Sequence, residues 1–183
     1  GYTDSFGAGG HDVWMVKTDS NGDEEWNRTF GGVNGDWGNS IINTEDGGYV
    51  IAGVAGIDGW SEDVWLIKTD SQGNEEWNQT FGGENLDRGR AVQQTADGGY
   101  IIAGLTYSNG NNGDGWLIKT DSEGNEEWNQ AFGGDGGDSY ESVQLTDDGG
   151  YAIGGLTSSF GNGFFDFWLI KSDDDGNVEW DQA

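Results

Sequence analysis

The sequence predicts an all-β protein assembled from tandem repeats of ~51 residues, each folding as a four-stranded sheet. Three observations carry this. Trp14, Trp65, Trp116 and Trp168 are spaced by 51, 51 and 52 residues, and Trp26, Trp77, Trp128 and Trp180 keep the same offsets. Proline is absent while glycine reaches 36 residues, so every turn falls to Gly, Asn, Asp or Ser. The apolar segments are short, rich in β-branched and aromatic residues, and bounded by Asp-Gly or Gly-Asn pairs, as strands joined by tight turns are.

The chain opens in a partial repeat, 1–38, whose GYTDS aligns with 155–159 and supplies the end of a second strand, followed by two outer strands. Three further repeats follow at 39–89, 90–140 and 141–183. In the second of these, AVQQT at 91–95 is the first strand, and the turn ADGG leads into YIIAGLT at 100–106. After a variable Gly/Asn/Ser loop comes GWLIKTD at 115–121, which SEGN reverses into EEWNQAF at 126–132. YIIAG and WLIKT are apolar at successive positions, so both faces are expected to be buried. EEWNQTF at 75–81 alternates instead, with Trp77, Gln79 and Phe81 on one face and Asn78 and Thr80 on the other. Dry inner strands and a wetter outer one are expected where neighbouring sheets cover both faces, in a β-propeller or an open propeller-like array. A chain that begins and ends inside a repeat fits part of a longer chain, or an assembly whose copies complete one another.

The run DGGY-[VI]-IAG, then D-x-W-L-I-K-T-D-x-x-G-N-x-x-W and FGG, resembles β-propeller repeats of archaeal and bacterial surface proteins over the whole chain. Asp70, Gly73, Trp77 and Gly82 also resemble the tryptophan-docking motif of quinoprotein-type propellers. That resemblance implies a Trp wedged between adjacent blades. It makes Trp14, Trp26, Trp65, Trp77, Trp116, Trp128, Trp168 and Trp180 structural inter-blade plugs. It implies no cofactor, because no cofactor-holding set accompanies the docking residues. Propellers host many unrelated functions, so the likeness speaks to architecture.

Charge narrows the partners. With 34 acids against 7 bases the net charge is −27, which repels nucleic-acid backbones and anionic membrane surfaces. No apolar run approaches the ~18–20 residues of a helical membrane span, so no membrane insertion is expected. A strongly acidic surface suits a hydrated extracellular or cell-surface protein. Cysteine is absent and His11 is the only histidine, so a thiolate, a zinc site or a Ser-His-Asp triad has nothing to assemble from. Repetition itself argues against a general acid/base pair, which needs two carboxylates in different environments. No enzyme activity is expected.

The candidate sites each have a plainer reading. Asp19, Asn21 and Asp23 invite a Ca²⁺ loop, but the ligand series ending in a bidentate Glu is missing and a hairpin turn capped by Asp is preferred. Other acids recur in phase: Asp12, Asp63, Asp114 and Asp166; Asp36, Asp87 and Asp138; Asp46, Asp97 and Asp148. They read as a ring that concentrates cations or, more plainly, as carboxylates tying down loop amides. Asn27 and Asn78 begin sequons and are glycosylation candidates on the outermost strand. Trp37 and Trp60, outside the phase, and Phe164 and Phe165 in the last long loop are candidate contacts for a sugar or a protein partner, or caps on the terminal sheets.

The expectation is therefore a non-catalytic extracellular structural repeat protein, a building block of a cell surface or filament with an adhesive, assembly role. Self-association or neighbouring repeats are its expected partners, with glycan as another. Two further readings stand beside it: a lectin-like carbohydrate-binding module, and a fragment of a propeller enzyme whose catalytic blades lie elsewhere.

Overall fold

The computed structural model describes residues 1–57, 61–109 and 112–183. Among the described residues, fifteen strands and no helix form four antiparallel sheets in chain order. The first sheet holds β1 (Tyr2–Thr3), β2 (Asp12–Thr18) and β3 (Glu24–Phe30). The second holds β4 (Trp37–Asn43), β5 (Tyr49–Gly56), β6 (Glu62–Thr69) and β7 (Glu75–Phe81). The third holds β8 (Asp87–Gln94), β9 (Tyr100–Thr106), β10 (Asp114–Thr120) and β11 (Glu126–Phe132). The fourth holds β12 (Asp138–Leu145), β13 (Tyr151–Thr157), β14 (Asp166–Ser172) and β15 (Val178–Gln182). Each sheet is a simple meander, and the four form an open, propeller-like tandem array.

The core lies between sheets. Val13, Met15 and Phe30 pack on Ile51 and Ile67 across the first interface. Val64, Leu66 and Phe81 meet Val92, Ile102 and Trp116 across the second. Ile101 and Leu117 meet Tyr140, Val143 and Trp168 across the third. Every residue of β9 is buried, as its unbroken apolar sequence requires of a strand covered on both faces. The outer strand β7 alternates as its sequence does, with Phe81 buried and Asn78 and Thr80 exposed.

Two irregularities recur. The last two strands of every sheet shift register at Lys17/Thr18, Lys68/Thr69, Lys119/Thr120 and Lys171/Ser172. The first and second strands shift at Gly38/Ser40, Gly89/Ala91 and Tyr140/Ser142. The second shift explains a difference from the sequence expectation. The first strands begin earlier than the repeat boundaries, at Trp37, Asp87 and Asp138, because the bulge lets DRGR and its counterparts pair although they do not alternate.

Candidate functional site

The recurring chemistry lies at the seams between sheets. Trp77 on β7 meets Tyr100 of the next sheet with ring centroids 5.9 Å apart. Its ring fills the space beside Gly124, where a Cβ would lie 2.6 Å from the indole. Gly124 also holds φ +80°, a left-handed conformation that glycine adopts without strain. Trp26 stands in the same way to Tyr49 and Gly73, and Trp128 to Tyr151 and Gly176. Trp180, the fourth of these residues, is 48% exposed. Around Gly22, the matching glycine of the first sheet, no described atom lies within 4 Å of a Cβ position. Trp180 and Gly22 are thus uncovered examples of the two residue types that meet at each seam inside the array.

The third-strand tryptophans serve a different purpose. The indole N–H groups of Trp65, Trp116 and Trp168 donate to Asn78 Oδ1 (3.1 Å), Asn129 Oδ1 (3.0 Å) and Asp181 Oδ2 (2.9 Å) on the neighbouring outer strand. Trp116 and Trp168 are buried in the seam clusters, whereas Trp14 is exposed and lies beside Phe6. The Asn78 side-chain amide also donates to Glu75 (2.6 Å), as Asn27 donates to Glu24 (2.6 Å). Asn129, which has no sequon, makes both kinds of contact. An acceptor for the indole accounts for this position with or without a glycan.

The lysines of the recurring IKTD text carry a role that sequence reasoning missed. Lys68 is buried, and its ammonium donates to Asp46 (2.8 Å), Glu76 (2.7 Å) and the Thr69 carbonyl (3.0 Å). Lys119 repeats the knot with Asp97, Glu127 and Thr120, and Lys171 with Asp148, Glu179 and Ser172. The register shift after each lysine brings the acid of the outer strand within reach. Hydrogen bonds from Lys68, Thr44 Oγ1 and the Gly48 amide hold the Asp46 carboxyl down at about 2. Burial opposes the charge on Lys68, but Asp46 and Glu76 outweigh it and raise the ammonium above its ordinary value. The available signal was a lone cation, in phase, inside an apolar strand.

Acids also meet in pairs at each seam. A Cβ on Gly82 would lie 2.2 Å from Asp63 Oδ1 and 2.8 Å from Asp87 Oδ2, so the two carboxylates flank the bare glycine from adjacent sheets. Gly31 is flanked by Asp12 and Asp36, and Gly133 by Asp114 and Asp138. Asp36, Asp87 and Asp138 do tie down loop amides, those of Gly32 (2.8 Å), Gly83 (2.9 Å) and Gly134 (2.9 Å). Ser108 and Ser159 hydroxyls donate to Asp87 and Asp138 in addition. Burial, joined by the charge of the facing acid, raises the carboxyls of Asp36, Asp63 and Asp114.

The remaining candidates are placed as follows. Asp19 accepts from the amides of Asn21 (2.8 Å) and Asp23 (3.0 Å), and Asp70, Asp121 and Asp173 cap the same turn in the other repeats. Among the described residues, no group of three or more His, Cys, Asp or Glu side chains converges. Trp37 is half-buried and lines a hollow of about 300 Å³ with Asn39, Glu62, Arg88 and Arg90. Phe164 and Phe165 are exposed on their loop, and Trp60 lies outside the described residues. Compared with known proteins, the sequence matches no family profile and no curated protein.

Proposed function

We propose that the chain is a non-catalytic structural repeat array of an extracellular or cell surface, extended by docking one repeat on the next. The observation that supports this is the pairing of an uncovered Trp180 with an uncovered Gly22, the two halves of a contact made three times inside the array. A further repeat, in the same polypeptide or in a second copy, completes either face. The net charge of −27 supports an exposed, hydrated setting and an assembly that ionic strength strengthens by screening. The resemblance to archaeal and bacterial surface repeats points the same way.

Sedimentation across a range of concentration and salt, with electron microscopy of the associated material, tests this. Association into rods or filaments is expected, and Trp180→Ala should remove it while leaving the fold intact. A second reading, carbohydrate binding, draws on the hollow that places Trp37 among Asn39, Glu62 and two arginines. A chain that stays monomeric throughout, yet binds an oligosaccharide saturably and loses that binding in Trp37→Ala, would favour it.

A further inference from the structure

The paired carboxylates at the seams are unfinished as protein structure. Asp12 is 1% exposed, Asp87 0% and Asp138 4%, yet Oδ1 of each has no hydrogen-bond partner, and neither does buried Oδ1 of Asp63. At least one such orphan oxygen therefore stands at each of the three pairs. In the first pair the orphan, Asp12 Oδ1, is the atom aimed at Gly31, 2.2 Å from where its Cβ would be, with Asp36 Oδ2 at 2.7 Å from the same point. Asp63 Oδ1 is the corresponding orphan in the second pair, at Gly82. An unpartnered carboxylate oxygen out of water costs several kcal/mol, and a second carboxylate facing it adds to that cost. Two carboxylates flank a bare glycine at all three seams, while the orphan oxygen falls on Asp12 in the first, on Asp63 and Asp87 in the second, and on Asp138 in the third.

Asp166, the fourth member of the series, supplies a contrast. No Asp of a following described sheet faces it, and its Oδ2 is satisfied by the Asn162 and Gly163 amides, both at 3.0 Å. Asp12, Asp87 and Asp138 likewise have Oδ2 satisfied, by the Ala8, Gly83 and Gly134 amides, but among the described aspartates a buried orphan Oδ1 occurs only where two carboxylates are brought together at a seam.

We propose that each seam holds a Ca²⁺ ion between its two aspartates, Asp12 with Asp36, Asp63 with Asp87, and Asp114 with Asp138. Two carboxylates neutralise one divalent cation, and oxygen-only ligands suit a hard ion. Ca²⁺ accepts irregular coordination completed by water, whereas Mg²⁺ demands near-ideal octahedral geometry and dehydrates reluctantly. A hollow of about 310 Å³ lined by Gly31, Gly32, Asn34, Asp36, Gly56 and Trp65 gives the first seam an entry path. The ion bridges consecutive sheets, so it fastens the array rather than any single repeat. It also explains the first glycine of FGG, Gly31, Gly82 and Gly133, since any side chain there would collide with the carboxylates.

The test is calcium titration of the EDTA-stripped chain in about 0.15 M NaCl, where diffuse attraction to surface acids is screened. Calorimetry should give three equivalents of Ca²⁺, with a rise in melting temperature that Mg²⁺ does not match. Tb³⁺ should show luminescence sensitised by Trp65 that Ca²⁺ displaces. Asp63→Asn should fold, lose one equivalent, and melt in EDTA no lower than the parent, because it removes a repulsion. Asp114→Asn should do the same at the third seam, and both changes together should leave one equivalent. Asp23→Asn, in the hairpin turn, should keep all three. Absence of saturable binding, or stoichiometry unchanged in Asp63→Asn and Asp114→Asn, would overturn the proposal. Loss of binding in Asp23→Asn alone would overturn it in favour of the turn.

Discussion

The ring of Trp77 occupies the space that Gly124 leaves open in the next repeat, 2.6 Å from where a Cβ would be. Gly22 has the same backbone strain, φ +90° against φ +80°, but no ring beside it. The pair separates two costs that usually arrive together. Gly22→Ala should destabilise by about 1 kcal/mol, the penalty for a side chain in the left-handed region. Gly124→Ala should cost about 3 kcal/mol, because it also displaces a packed indole. Urea melts of the two variants check this. Equal losses would mean that the docked ring contributes nothing to holding the sheets together.

A second expectation concerns the outer-strand amide. Trp116 is buried and its N–H is satisfied by Asn129 Oδ1 at 3.0 Å. Asn129→Leu removes the acceptor and should cost about 1–3 kcal/mol, the penalty for an orphaned buried donor. Asn129→Asp should cost less, about 0.5–1 kcal/mol, because it keeps the acceptor as Asp181 does for Trp168 but gives up the donation to Glu126 and sets two exposed carboxylates together. Thermal melts decide it, and a neutral Asn129→Leu would leave the recurrence of this Asn to other causes.

Much of this was legible in the sequence. The strands of YIIAGLT, WLIKT and EEWNQ follow from their apolar pattern, and the phase of the tryptophans gives the repeat. What was not legible depends on distance along the chain. Asp12 lies on β2 and Asp36 just before β4 of the next sheet, and only the fold brings them together at Gly31. Lys68 reaches Glu76 because the strands slip register at Thr69, and a period of two does not foresee a slip. The first strands were read short for the same reason. The gain is in discrimination: the structure separates Trp26, Trp77 and Trp128, which dock on glycines, from Trp65, Trp116 and Trp168, which donate hydrogen bonds.

The lysine knots predict a defined response to pH. Asp46 titrates at about 2 in the folded chain against ~3.9 when unfolded, so its contribution is fully present above the unfolded value and lost as pH falls toward 2. Lys68 is raised, so its contribution is present below the unfolded lysine value of ~10.4 and lost as pH climbs through the folded one. The knot therefore contributes fully between roughly pH 4 and 10. Carbon-13 shifts of the Asp46 carboxyl should show a midpoint of about 2. In Lys68→Met that midpoint should move up without reaching the ordinary aspartate value, since Thr44 and the Gly48 amide still donate. The variant should lose about 1–2 kcal/mol, chiefly from the Thr69 carbonyl left without its donor, because the exposed acids return to water. An Asp46 midpoint unmoved by the substitution would show that the turn alone sets it, and that the buried lysine is there for packing.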